Sequence, residues 1–580
     1  MIGSPDFLPK FQAPQQFQFI DNVSFLKGPH SLKFGGEIHN TRNIFMDEPG
    51  TRGSLYFDNI FTCQIVAGGC ADNTGNSYAD GLLGYVQAAQ LTNVFDVDQR
   101  IRMYGLYAQD NWKVTRKVTL NLGLRWDFAP YALEGQNRQA NFEPAGLGGM
   151  IQATSGSLAS RALINPNWNN WGPRVGFAYS PDHNTVFRGG FGVFYALFER
   201  VGSEDELALN PPALVNNTPA VAPGATAPVF LLRDGFPSDF LNPADLNLQT
   251  AHIRAGNPHM PNAMTQQWSF GVQRTLPGNI LAEVNYVGTH SAHLQELSDL
   301  NMPVNGVLPY PNFGYIEYNN AVANGHYNGL EASLTRRFSH GLQFRLAWTW
   351  SRSIDDAPEE LVGNDAYAQN GYGPQWTGPS DFDTPQRVVL SYVYELPAGR
   401  GHKLLSRGLA SYILGNWRTS GVYTYSSGLP FTVWSGGALT TALDPNGASD
   451  PVNTAVPNVI GKAHIVGDVN CWFYASQNSV CDALAPNVTD AFQLQQSGQF
   501  GSSGRNSLRG PHVNSFAFDL MKDFAFKEGT SLQFRWEAFN LFNTPIFATP
   551  SNDFSQSSAG QITSLAGDPR VMQFALRFSF

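Results

Sequence analysis

Histidines, carboxylates, thiols and aromatic rings are the groups through which this chain could do chemistry, and their spacing decides which kinds. Thr289-His-Ser-Ala-His293 sets two imidazoles close enough for a metal pair. It stands at a strand end entering a long loop, however, where a solvated segment is the better reading. Asp355, Asp356, Glu359 and Glu360, with Asp381 and Asp383 further along the same connection, could hold Ca²⁺ through oxygen ligands. A solvated acidic loop explains them more economically. Asp444-Pro-Asn-Gly-Ala-Ser-Asp450 has the composition of a calcium loop but lacks the ligand spacing and the closing Glu. No G-x-S-x-G, no H-E-x-x-H and no phosphate-cradling Gly loop with Lys appears. The sequence therefore assigns no catalytic residue, no metal ligand and no cofactor.

The four cysteines fall as two local pairs, Cys63/Cys70 and Cys471/Cys481, each in Gly/Asn/Ser-rich surroundings. Close pairs in even number suit small disulfide loops in an oxidising compartment, with four free thiols as the alternative. Aromatic clusters offer a different chemistry. Tyr367, Tyr372 and Trp376, and the run Trp472, Phe473 and Tyr474, present flat faces on which a sugar or an aromatic ligand could stack. Packing inside the loops, or an interface belt, accounts for them equally well.

Extended strands must position these groups. The last eleven residues set Met572, Phe574, Leu576, Phe578 and Phe580 on one face and Gln573, Ala575, Arg577 and Ser579 on the other. That period of two is the mark of a strand with one apolar and one polar surface. Lys117 to Phe128 repeats it, with Val118, Leu120, Leu122, Leu124, Trp126 and Phe128 opposite Asn121 and Arg125. So do Leu342 to Trp350 and Leu532 to Ala538. A slip of one residue would put Arg125, Arg345 or Arg535 into lipid, at about 2–4 kcal/mol each near the midplane, so register is strongly specified. Arg125, Arg188, Arg345, Arg535 and Arg577 then share an inner face with Glu283, Glu331, Glu395 and Glu537, as a wall of ion pairs.

Composition agrees with a membrane wall. Charged residues make up only 14% of the 580, and aromatics 13%, too aromatic for disorder and too poor in charge for an ordinary cytosolic protein. No apolar run is long enough for a membrane-spanning helix. A net charge of −10 without a basic cluster argues against nucleic acid as a partner. Tight turns such as Pro277-Gly-Asn279 and Ser339-His-Gly341 mostly alternate with long connections at 130–171, 199–263, 290–325, 354–385, 435–511 and 543–569. Long structureless loops are uncommon in compact soluble domains, whereas outer-membrane barrels have short periplasmic turns and longer extracellular loops. The expected fold is all-β, an antiparallel transmembrane β-barrel with about 17 strands. The count requires spanning strands at 52–57 and 85–96, and it leaves both end strands pointing inward. The N-terminus shows no basic segment followed by an apolar core, so no signal peptide is expected in residues 1–580.

Several segments resemble TonB-dependent outer-membrane receptors. Tyr107-Ala-Gln-Asp-Asn-Trp112 followed by Val118 to Asp127 is similar to their paired QDxW and LTLNLGLRYD strands. Pro173 to Tyr179, Arg188 to Tyr195, Val284 to Thr289, Gly504-Arg505-Asn506 and Arg535 to Asn543 resemble the Oar-like branch found in acidobacteria and myxobacteria. The resemblance implies a barrel of about 22 strands closed by a plug and energised from the inner membrane through TonB, ExbB and ExbD. Nothing here matches a plug or TonB-contact segment, so residues 1–580 are expected to be the C-terminal part of a larger barrel, with TonB acting only through the missing part. The resemblance also makes Phe574, Leu576, Phe578 and Phe580 a signal for the barrel-assembly machinery. Outer-membrane lipid is the other expected partner. Energised uptake of a siderophore, oligosaccharide or peptide is the function implied; surface adhesion and a passive porin are the alternatives.

Overall fold

The computed structural model describes residues 5–580 apart from 6–7, 47, 67–68, 72, 147, 197–206, 223–224, 303–306, 357–375, 400–403, 406, 436–455, 497–500 and 528. A single antiparallel wall runs through it in sequence order. It begins with β1 (Phe11–Lys27), β2 (His30–Met46), β3 (Val97–Trp112), β4 (Val118–Phe128), β5 (Asn170–Tyr179), β6 (Thr185–Tyr195), β7 (Met264–Leu276) and β8 (Ile280–Asp299). It continues with β9 (Ile316–Ser339), β10 (Leu342–Asp355), β11 (Gln386–Glu395), β12 (Trp417–Ser426), β13 (Val513–Lys527), β14 (Thr530–Phe539) and β15 (Val571–Ser579). Each strand pairs with the next. Three short pieces, Leu133–Glu134, Ile253–Gly256 and Gly378–Pro379, extend one rim and make the sheet 18-stranded. Among the described residues β1 pairs only with β2 and β15 only with β14; the two run in the same direction, as alternation from β1 to β15 requires.

The wall holds fewer spanning strands than the expected number of about 17. Residues 52–57 and 85–96 do not cross. Ser54–Tyr56 pairs with Ala88–Thr92 in a small sheet of its own, and β2 pairs directly with β3, Phe45 opposite Val97. Strands of 3 and 5 residues fall short of the roughly 9–11 needed to cross. Local alternation was a correct sign of extended chain there, but not of a span.

Alternation sets the two faces. Across β4 and β5, Val118, Leu120, Leu122, Leu124 and Trp126 meet Tyr179, Phe177, Val175, Pro173 and Trp171. Leu532, Phe534 and Trp536 of β14 meet Phe578, Leu576 and Phe574 of β15. Leu122, Val175 and Phe574 remain 39%, 52% and 70% exposed, and no second sheet stacks on this face. In water such a surface would be a large unpaid hydrophobic cost; against hydrocarbon it is the expected exterior. Among the described residues no helix is long and apolar enough to cross a membrane, so crossing is left to strands.

Turns close one rim tightly. His340 and Gly341 both take positive φ, 51° and 78°, between Ser339 and Leu342, which pair. That two-residue turn follows the right-handed twist of its strands. At the opposite rim the strands run on past any membrane requirement: β8 has 20 residues and β9 has 24. The connection between them is therefore 300–315, much shorter than the expected 290–325. The described parts of the connections at this rim form small apolar cores. Phe431, Phe473, Phe492, Leu508 and Phe554 form one; Val86, Ala89 and Phe240 form another; Phe142, Ile253, Phe313 and Ile316 form a third.

Candidate functional site

Charge is arranged in two places where it could act on a solute: the inner wall, and a polar knot where the long connections meet its rim. On the inner wall Arg125 of β4 donates its Nε to both oxygens of Asp127, at 2.8 and 2.9 Å, and its far end crosses β3 to pair with Glu37 of β2. Gly105 of β3 permits the crossing. A Cβ there would stand 2.6 Å from Arg125 Nη2 and 2.9 Å from Glu37 Oε1. Farther round, Arg535 reaches Glu537 at 3.3 Å, and Gln573 of β15 donates to the same carboxylate. Arg345, Asp519 and Glu537, with Ser391 and Ser420, line an inner recess of about 490 Å³. The wall thus carries ion pairs, but with partners that alternation alone does not name. Glu37 and Asp127 serve Arg125, whereas Arg188, Arg345 and Arg577 have no ion pair among the described residues. Glu283 accepts from Ser333 at 3.3 Å.

The knot is centred on Arg505, whose side chain is 3% exposed. Its Nη2 donates to the Asp355 carbonyl at 2.7 Å and pairs with the Asp355 carboxylate; its Nε donates to the Trp376 carbonyl at 3.2 Å. Asn506 donates to Pro379 O at 2.7 Å and Asp381 Oδ1 at 2.6 Å. Arg509 pairs with Asp383, which also accepts from the Ser353 N–H at 2.7 Å. The acidic residues considered as Ca²⁺ ligands thus have arginine, amide and backbone partners; Glu359 and Glu360 lie outside the described residues, as does 444–450. Burial pushes the Asp355 carboxyl up, and Arg505 opposes it. On the adjoining extension of β8, Glu296 is 5% exposed. Burial, with Asp356 nearby, pushes its carboxyl up to about 8, and Arg505 only partly offsets this.

The histidine pair is placed differently from its expected loop. His290 lies inside β8 and stacks on His326 of β9, with centroids 4.5 Å apart and Nδ1 to Nδ1 3.1 Å, while His293 sits at a break in register with φ 59°. Among the described residues no group of three or more His, Cys, Asp or Glu is placed to hold a metal.

The aromatic candidates pack inward. Phe473 is fully buried, Trp376 packs on Val456 and Trp434, and Tyr474 is buried beside the second disulfide. The Tyr474 hydroxyl donates to Asp482 at 2.7 Å, a bond that with burial pushes its ionisation up to about 12. Trp472 is half-buried and donates its indole N–H to the Arg509 carbonyl at 2.7 Å. As placed, these rings hold the connections together rather than offering a stacking face. Tyr367 and Tyr372 lie outside the described residues. Cys63 is bonded to Cys70 and Cys471 to Cys481, both within long connections. Phe574, Leu576, Phe578 and Phe580 form an exposed row on the outer face.

A family model described as an outer membrane beta barrel domain matches residues 1–573. The chain belongs to that family. Its strands cross the outer membrane, its tight turns face the periplasm and its long connections are extracellular. The chain is also similar to solved structures, and the first shares its barrel fold. The outer membrane transporter YddB from Escherichia coli is 11% identical, with a TM-score of 0.50 over 98% of this chain and 54% of its own. The siderophore receptor PirA from Acinetobacter baumannii is 11% identical, with a TM-score of 0.44 over 98% of this chain and 55% of its own. The ferric-catecholate import receptor Fiu from E. coli K12 is 13% identical, with a TM-score of 0.40 over 98% and 54%. The barrel chain spans about half the length of these proteins. No curated protein matches it.

Proposed function

We propose that this barrel is the wall of an Oar-like TonB-dependent receptor that takes up a scarce ligand across the outer membrane. One observation carries the reading: an ion-paired inner wall, seen at Arg125 with Glu37 and Asp127, leads up to extracellular connections with cores of their own. A passive pore needs no such roof, and a pure adhesin needs no charged lumen. The sequence segments similar to TonB-dependent receptors support the same reading, and the barrel likeness to YddB supports the architecture. In this reading TonB, ExbB and ExbD act through a plug rather than on the wall, and Phe574, Leu576, Phe578 and Phe580 present the last strand to the barrel-assembly machinery. The ligand class is a siderophore, oligosaccharide or peptide.

Growth of a strain lacking the gene, compared across iron and carbon sources, is expected to expose one source whose uptake also vanishes when TonB is removed. Uptake that persists without TonB would instead identify a porin. Loss of attachment with no uptake defect would identify an adhesin.

A further inference from the structure

We infer that the outer face of β2 and β3 carries a binding site for a phosphate-bearing lipid of the outer leaflet. The observations are a guanidinium cluster and an apolar recess, stacked in the order in which such a lipid presents its headgroup and chains. Register places Gly36, Leu106, Trp126 and Trp171 in one outward row across β2 to β5, and Ile38, Tyr104 and Phe128 in the next. Trp168 lies over Phe128 at 3.7 Å between centroids, and Trp126 donates to the Trp168 carbonyl. Such an aromatic row marks the edge of the hydrocarbon.

The outward residues just beyond that row, on the extracellular side, are Asn40 opposite Arg102 and then Arg42 opposite Arg100. Arg42 donates to Asp98 at 2.7 and 3.1 Å, Arg100 donates to Asp98 Oδ2 at 3.2 Å, and Arg102 donates to Asn40 at 2.7 Å. Two guanidiniums thus share one carboxylate, and a third lies in the neighbouring pair. Burial disfavours the charged form of Asp98, but Arg42 and Arg100 hold its carboxyl down at about 2, so across the physiological range Asp98 offsets one of the three positive charges. The side chains of Arg42 and Arg100 are 47% and 50% exposed, leaving donors free on the membrane side. Guanidinium forks match phosphate oxygens, and a basic cluster at headgroup height attracts anionic lipid. Asp96 precedes the cluster on the chain, and Asp21 lies nearer the bilayer centre, opposite Gly36.

Directly below the arginines the wall is hollowed. A recess of about 880 Å³ opens between Phe19, Ile38, Tyr104, Leu106, Trp126 and Trp168, with Gly36 at its floor. Gln18, Asp21 and Glu37 also border it, but apolar side chains make up most of the lining and continue the lipid-facing band. Its occupant is therefore an acyl chain, and the headgroup of that same molecule reaches the arginines.

The test uses the full chain purified in detergent, with bisphosphorylated lipid A as the probe and native mass spectrometry as the readout. One lipid per chain is expected to survive mild activation. The R42Q/R100Q/R102Q variant, or removal of both lipid phosphates, is expected to weaken retention at least tenfold. R102Q alone leaves the Asp98 pairs intact and is expected to weaken it several-fold, which keeps the test informative if the triple variant misfolds. R352Q removes an outward arginine on β10, away from the recess between β1 and β4, and is expected to change nothing. Equal retention by the triple variant, or of the dephosphorylated lipid, would overturn the site. Displacement by millimolar inorganic phosphate would overturn its assignment to a lipid.

Discussion

Trp268 of β7 lies across Gly288 of β8 on the lipid-facing side, so closely that a Cβ on Gly288 would land inside the indole. The glycine serves as a seat for the ring. Gly288→Ala is therefore expected to displace Trp268 and to cost about 1–3 kcal/mol, the range for forcing extra volume into a packed site. Combining Gly288→Ala with Trp268→Ala is expected to cost less than the sum of the two, because the clash disappears with the ring. Urea midpoints of the four chains in the cycle, read by the folded-barrel shift on unheated gels, measure this. Strict additivity would mean that the ring finds room elsewhere.

Arg505 ties the connection before β13 to the end of β10. Arg505→Ala leaves Asp355 buried without its guanidinium, and breaking a buried pair from one side costs about 3–5 kcal/mol. That cost falls on the loops. Limited proteolysis is expected to cut the variant within 500–512 and 376–385 under conditions where the parent resists, while the barrel band survives. Arg505→Lys is expected to rescue only partly, since one ammonium cannot serve the Asp355 carbonyl, its carboxylate and Trp376 together.

Glu296 keeps its proton to about 8 in the folded protein, against an ordinary 4.5. Between those values the folded state binds a proton that the unfolded segment does not, so stability is full below the lower value and declines as pH rises to the upper. Hydrogen exchange over Leu294–Asp299, corrected for intrinsic rate, is expected to quicken from about pH 5 to about pH 8. Glu296→Gln is expected to flatten that slope. An unchanged slope in the variant would place its origin in another group.

Cys471 and Cys481 close a short loop beside the core that holds Phe473. Replacing both by alanine removes a cross-link worth about 2–4 kcal/mol. Thermolysin is expected to cleave 458–493 in the variant, and in the parent only after reduction. Barrel mobility is expected to stay the same, because none of the β1–β15 pairings passes through this segment.

The wall was legible because lipid and lumen impose opposite demands on successive residues. Leu122 and Arg125 could be assigned to faces without any partner being known. Short segments defeat that reading: Ser54–Tyr56 alternates as well as a spanning strand does, and only its length and its pairing with Ala88–Thr92 separate the two. The knot was half legible. Gly504-Arg505-Asn506 stood out as a motif, but its partners Asp355 and Trp376 come from another connection, and no local pattern links them. For Phe473 and Tyr474 the sequence leaves ligand stacking and packing within the loops equally open, because the cluster that buries Phe473 draws Phe431 and Phe554 from distant points of the chain.

Those cores have a consequence for how the outer surface can change. Phe57 and Val86 from one connection share a cluster with Phe230 and Phe240 from another, and Ile253 of that second connection shares one with Phe142 and Phe313 from two more. A loop transplanted alone would arrive with half an interior and leave its former neighbours with the other half. Changing the surface of this barrel by grafting therefore calls for matched sets of connections, moved together onto strands that need not change at all.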